Sequence, residues 1–348
     1  MNSTTTSPKT QLSIKIGDHD LSHSVMIVAE IGNNHEGDMG VAKEMISAAA
    51  ESGANAVKFQ TIEPSQLVSS DQIDRIEQLT RFYLSRADFE ELAEIAISSG
   101  VYFLSTPFYL DSVSWLDNLV PAFKIASGDC NYTKLLETVA KTGKPILLST
   151  GASTIEEVRS SQQTISKIHS DLGIEPRVVL LHCVVSYPTK VNDANLSALL
   201  ELSQLGTVIG YSDHTIGTDA AVLSVGMGAR LIEKHFTLDK NYSEFRDHAL
   251  SADPDEMADL IKKVRHAEIL VGSAGKNVLP CEEGSRSAVR RSVHASIDLQ
   301  DGHNLSSSDT LCLRPADGIP PTEEASLVGR TLKQRVKAGM QIATANID

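Results

Sequence analysis

Short apolar runs rich in β-branched residues recur along the chain, each followed by a stretch with helical spacing. The runs are Val25–Ile31, Ala56–Gln60, Tyr102–Ser105, Ala122–Ala126, Pro145–Ser149, Val178–Cys183, Thr207–Tyr211 and Arg230–Lys234. They are nearly continuous in apolar character, which is the signature of parallel strands covered on both faces. Between them, Met39–Ser52, Arg86–Ser99, Ser153–Ser170 and Asp253–Leu270 read as helices. Ser153 and Glu156 have the spacing of a capping box. Asp253 followed by Pro254, Asp255 and Glu256 supplies an N-cap, a first-turn proline and an acidic first turn. Met257, Leu260, Ile261 and Val264 then mark one buried helix face. Eight strand–helix units predict an α/β fold, a (β/α)₈ TIM barrel in preference to an open doubly wound sheet. Neither a G-x-G-x-x-G after the first strand nor a phosphate-binding G-x-x-x-x-G-K-[ST] is present to favour the open sheet.

The pattern changes after Gly272. Residues 1–272 are assigned to the barrel, with 1–20 as a peripheral extension. Residues 273–288 are polar and read as a linker. Residues 289–348 read as a small mixed domain with β-like pieces at Ser292–Ile297 and Thr310–Leu313. The length of 348 residues agrees with about two domains. A net charge of −14 argues against nucleic acid and against anionic membrane, since both need clustered positive charge. No apolar run approaches the roughly 20 residues that span a bilayer, and Met1–Thr10 lacks the apolar centre of a secretory signal. A cytoplasmic protein is expected. Cys130, Cys183, Cys281 and Cys312 form no C-x-x-C pair and read as reduced thiols.

Active sites of such barrels lie at the C-terminal ends of the strands, and here those ends are polar. Lys58 and Lys124 close the second and fourth strands, and two ammonium groups facing one mouth call for an anion, phosphate or carboxylate. Thr106, Ser127, Ser149 and Ser212 add hydroxyl donors at neighbouring strand ends. His214 and His235 close the seventh and eighth strands beside Asp213 and Glu233, a mixed set that suits Mn²⁺, Fe²⁺ or Zn²⁺. His35 and His182 read as structural.

With these residues assembled, the chain strongly resembles the sialic acid (nonulosonic acid) synthase family from about Val25 to Asp348. The landmarks run from Ala29 to His35, Val57 to Thr61, Ser105 to Phe108 and Lys124 to Gly128. They continue from Leu148 to Gly151, Tyr211 to Thr215 and Glu233 to Thr237, with Arg314 to Ile319 resembling the start of the recognition loop in the C-terminal antifreeze-like (SAF, β-clip) domain. The resemblance implies a transferase that condenses phosphoenolpyruvate with an N-acylated hexose such as N-acetylmannosamine. It implies that Lys58, Thr106, Lys124, Ser127, Ser149 and Ser212 hold phosphoenolpyruvate, and that His214 and His235 ligate a divalent metal, Mn²⁺ with Mg²⁺ or Co²⁺ as alternatives. Glu30 matches the general base for the attacking water, and Gln60, Tyr187 and Asp247 match sugar contacts, Asp247 after a one-residue shift. It further implies a domain-swapped homodimer in which Arg314 reaches the N-acyl oxygen from the neighbouring chain. Two departures bear on the acceptor: Val185 stands where sialic acid members often have Asn, and Ser243–Asp247 replaces a Pro-Gly-Pro-Asp pattern. The competing readings are another phosphoenolpyruvate–aldose condensing barrel of the Kdo-phosphate type, which needs further cations for a sugar phosphate, and a non-catalytic carbohydrate-binding protein.

Overall fold

The computed structural model describes residues 13–273 and 275–348. The expectation for Met1–Thr10 falls outside them. Two units are present, 1–272 and 273–348.

The first unit opens with a hairpin of β1 (Lys15–Ile16) and β2 (His19–Asp20). Eight parallel strands follow: β3 (Met26–Gly32), β4 (Ala56–Thr61), β5 (Tyr102–Pro107), β6 (Phe123–Ile125), β7 (Ile146–Ser149), β8 (Val178–Cys183), β9 (Val208–Asp213) and β10 (Leu231–His235). They close in sequence order, with β10 pairing β3, so the predicted barrel is the observed one. Helices such as Met39–Glu51, Arg86–Ser98, Ile155–Asp171 and Pro254–Val271 alternate with the strands.

Strand side chains alternate between two faces, and here the alternation separates two cores. Ala29, Val57, Phe103, Ile125, Leu148, Leu180, Ile209 and Ile232 pack outward against the helices. Val28, Ala56, Leu104, Ala122, Leu147, Leu181 and Leu231 fill the barrel interior. Gly210 takes an interior position because a Cβ there would meet the Leu231 carbonyl at 2.5 Å.

Three boundaries differ from the sequence reading. The 13–20 part of the expected peripheral extension is structural: Ile14 and Ile16 are buried and belong to the interior cluster. The capping box lies one residue later than expected. The Thr154 hydroxyl accepts from the Glu157 amide at 3.3 Å and the Glu157 carboxylate from the Thr154 amide at 2.7 Å. Two overlapping S/T-x-x-E frames exist there, and the backbone selects the second. Finally, the expected linker 273–288 is partly helical, since Pro280–Val289 forms a helix started by its first-turn proline. By contrast, Asp253 caps its helix as expected, its carboxylate accepting from the Glu256 amide at 2.9 Å.

The second unit pairs β11 (Ser292–Ala295) with β12 (Thr310–Leu313) antiparallel. Its core gathers Val293, Leu299, Leu305, Ile319, Leu332 and Ile342.

Candidate active site

Two residues beyond each interior apolar position, the same strand face turns polar. Val28 is followed by Glu30, Ala56 by Lys58, Leu104 by Thr106, Ala122 by Lys124, Leu147 by Ser149 and Leu181 by Cys183. On β9 and β10 the face continues through Ser212 and His214, and through Glu233 and His235. The period of two therefore delivers one polar layer over an apolar plug. All these residues line one cavity of about 900 Å³, its open mouth included.

At its floor sit four charged groups, each nearly solvent-free. Lys58 Nζ lies 2.7 Å from Glu30 Oε2 and 3.7 Å from Glu233 Oε2, and donates to Thr106 Oγ1 at 3.0 Å. Lys124 Nζ lies 3.9 Å from Glu233 Oε1, which also accepts from Ser212 Oγ at 2.9 Å. Burial, opposed by Lys58 and assisted by the Glu233 charge, raises the Glu30 carboxyl above its ordinary range. Burial acts on Glu233 too, yet Lys124 and Lys58 together hold it below that range. Burial and the like charge of Lys58 lower Lys124. The two carboxyls are driven apart in this way, Glu233 toward the anion and Glu30 toward holding a proton more readily.

Ser127, Gln60, Tyr187 and Asp247 line the same cavity. Ser127 Oγ accepts from the Gly151 amide at 3.0 Å, while Ser149 Oγ is buried without a partner. Gln60 donates to Glu30 Oε1 at 3.0 Å and accepts from Asn33 at 3.0 Å. The Tyr187 ring lies 4.2 Å from that of His214, centroid to centroid. Asp247 is held by Arg246 at 3.2 Å and, being buried, has a raised carboxyl value. Arg314 belongs to the second unit, one residue past β12, with its side chain exposed.

His214 and His235 face each other with ring centroids 5.4 Å apart. His214 Nδ1 is hydrogen-bonded to the Val184 carbonyl at 2.8 Å, which orients the ring as outer partners of metal ligands do. Burial opposes protonation of His214, but the neighbouring Cys183 sulfur at 3.8 Å and the Val184 carbonyl outweigh it and raise the ring's value. His235 is held well below its ordinary value by burial and the nearby cations, and its buried Nδ1 has no partner. A neutral imidazole with an orphaned buried nitrogen fits a cation. The carboxylates do not complete the set, since no cluster of three His, Cys, Asp or Glu with metal-binding geometry occurs among the described residues.

Asp213 corrects the sequence reading, because it faces outward and pairs with Lys234 at 2.9 Å instead of standing beside the histidine rings. Glu233, which the sequence places beside His235, links both lysines; its interior parity, two residues before His235, is the signal for that role. Arg75 and Arg246, which also line the cavity, supply the cations missing from the sequence reading. Arg246 sits 4.8 Å above the Tyr187 ring. His35 and His182 are structural as expected: His35 accepts from the Gly37 amide at 3.0 Å, and His182 bonds the Ala194 carbonyl at 2.9 Å.

The NeuB family model matches residues 45–276, and the SAF domain model matches 290–348. The chain belongs to the NeuB family. It is 38% identical to the N,N'-diacetyllegionaminic acid synthase of Legionella pneumophila, covering 94% of this chain and 96% of that one. Against the human N-acetylneuraminate-9-phosphate synthase it is 32% identical, with 94% and 93% covered. The crystal structure of the Leptospira borgpetersenii N-acetylneuraminic acid synthetase, in complex with citrate, superimposes with a TM-score of 0.73 at 32% identity, covering 79% of this NeuB-family chain and 95% of that one. The fold of this family member is thus a (β/α)₈ barrel with a C-terminal SAF domain, and its homologues are nonulosonic acid synthases. Among the described residues no helix is long and apolar enough to cross a membrane.

Proposed function

We propose that this protein is a cytoplasmic transferase that joins phosphoenolpyruvate to an N-acylated hexose, N-acetylmannosamine or a related bacterial amino sugar. The products are a nine-carbon α-keto acid and phosphate. The observation that carries this reading is the pair of buried lysines with the Thr106, Ser149 and Ser212 hydroxyls at the barrel floor of a NeuB-family chain.

Lys58 and Lys124, with those hydroxyls and Ser127, hold the phosphate and carboxylate of phosphoenolpyruvate. That ligand brings about three negative charges at neutral pH, whereas Glu30 and Glu233 already neutralise the two lysines. Charge balance therefore calls for added cation, which supports a divalent ion, Mn²⁺ with Mg²⁺ or Co²⁺ as alternatives, on His214 and His235. When bound, such an ion polarises the sugar carbonyl. Carbon 3 of phosphoenolpyruvate attacks the aldehyde carbon with the electron pair of its carbon 2–carbon 3 π bond, which leaves an oxocarbenium at carbon 2, while the carbonyl oxygen takes up a proton from water. Water then adds at carbon 2 and gives its proton to Glu30, whose raised value suits the task. The new carbon 2 hydroxyl becomes the ketone as the bond to the phosphate oxygen breaks, and phosphate leaves with that bond's electrons and the hydroxyl proton. Gln60, Tyr187 and Asp247 orient the sugar.

The test is phosphate release and product mass with phosphoenolpyruvate, Mn²⁺ and a panel of acceptors. N-acetylmannosamine, a diacetamido-dideoxy hexose, an unacylated aldose phosphate and an N-acylhexosamine 6-phosphate belong in it, the last because Arg75 and Arg246 line the cavity. One acceptor is expected to release phosphate in step with a nine-carbon keto acid. Release only with unacylated aldose phosphates would establish the Kdo-phosphate-type reading instead, and no release with any sugar the binding-protein reading.

The same proposal includes a domain-swapped homodimer in which Arg314 of one chain meets the N-acyl oxygen in the site of its partner, a reading supported by the family resemblance of the SAF segment. Mixing inactive Glu30→Gln with inactive Arg314→Ala chains is expected to restore activity after subunit exchange, because half of the heterodimer's sites carry neither lesion. No recovery after demonstrated exchange would put Arg314 in its own chain's site or outside any site.

A further inference from the structure

Outward positions of barrel strands pack against the helices and are expected to be apolar, as Ile209 of β9 and Ile232 of β10 are. Asp213 and Lys234 are not. Both are outward and almost completely buried, with side chains 0% and 1% exposed. Lys234 Nζ donates to Asp213 Oδ2 at 2.9 Å and to the Thr215 carbonyl. Asp213 Oδ1 accepts from both the amide and the hydroxyl of Thr215, each at 2.8 Å. Each charged side chain of the network has hydrogen-bond partners, but an apolar pair of the same size would cement these strands at least as well. Something other than packing is needed to account for it.

Its place in the barrel supplies the account. Among the described residues the β9–β10 ladder ends at the pair Lys234↔Asp213. One residue further on lie His214 and His235, and their backbones are tied to different neighbours. The His214 carbonyl accepts from the Thr189 amide at 2.9 Å, on the β8 side. His235 is in register with Glu30 of β3, and its carbonyl accepts from the Ala252 amide at 2.8 Å. The two strand ends thus part just where the two rings must act together. We infer that the Asp213–Lys234 pair, with Thr215, is a positioning clamp that holds the His214 and His235 rings at their separation. This rests on the reading of those histidines as ion ligands, and Asp213 and Lys234 are positioning residues that touch neither ion nor substrate.

The test compares wild type with Asp213→Leu/Lys234→Met, a double variant that removes both charges and leaves neither buried alone. Three quantities are read: thermal unfolding, binding of Mn²⁺ alone by electron paramagnetic resonance, and imidazole NMR signals of the metal-free protein. The double variant is expected to unfold close to wild type and to bind Mn²⁺ about 10- to 100-fold more weakly, as loss of outer-shell support does. Its His214 and His235 signals shift while those of His35 and His182 stay. Phosphoenolpyruvate binding without metal changes less than twofold. Should the double variant not fold, isosteric Asp213→Asn carries the same comparison. A folded variant with unchanged Mn²⁺ affinity and unchanged His214 and His235 signals overturns the clamp. Wild type that binds no Mn²⁺ overturns the ion reading instead, and the NMR comparison still decides whether the pair positions the rings.

Discussion

Lys58→Met is expected to lose about 3–5 kcal/mol of stability, the usual cost of breaking a buried ion pair from one side. It is also expected to weaken phosphoenolpyruvate binding by about 100-fold, the worth of one hydrogen bond between charged groups. The reason is that Lys58 lies within 4 Å of both Glu30 and Glu233, all three almost without solvent. Removing it leaves two carboxylates with Lys124 alone. Glu30, already raised by burial, rises further, and a carboxyl raised in the folded state makes stability fall as pH rises through that value. The stability deficit of the variant should therefore shrink on acidification. Adding Glu30→Gln to Lys58→Met removes the stranded charge, so it should recover much of the thermal stability and none of the phosphoenolpyruvate affinity. Thermal melts at two pH values and a phosphoenolpyruvate titration check this. An effect confined to the sugar requirement would mean that the anion lies elsewhere.

Chelation is expected to abolish turnover, and His214→Ala or His235→Ala to reduce it by at least about 1000-fold, on the scale of the several kcal/mol that a Lewis acid contributes. Stability provides a second signature. His235 Nδ1 is buried without a partner in the metal-free chain, so its loss should cost little beyond the cavity it leaves. Mn²⁺ should raise the melting temperature of wild type and leave that of either variant unchanged, since a ligand stabilises only a state that binds it. His214 holds its proton more tightly than usual, through Cys183 and Val184, and that proton must leave when an ion binds. Mn²⁺ affinity should then rise with pH across the range where His214 titrates. Full turnover in a chelated sample would remove the ion from the reaction.

Much of this molecule was legible from one dimension. Apolar runs too continuous for a half-exposed sheet, repeated eight times with helices between, call for a parallel sheet covered on both faces, and eight such units favour the closed barrel over an open doubly wound sheet. The polar residues ending those runs locate the site, since strand ends in this fold share one mouth. Period-two alternation is equally a property of sequence, and it places Glu233 in the interior layer together with Lys58, Lys124 and His235. What alternation does not carry is distance between strands. That Glu233 spans both lysines, leaving the floor neutral before substrate arrives, depends on how β10 and β6 face each other across the barrel. That Arg75 reaches the cavity depends on the course of the Ile73–Arg81 helix, which has no strand parity to read. The choice of Thr154 over Ser153 as cap was likewise open, since two overlapping frames satisfy the same local chemistry and the structure starts the helix at Ile155. Local pattern determines which face a residue takes. Which charges meet is decided by closure of the sheet, because electrostatic partners are chosen by separation in space and the chain specifies only separation along itself.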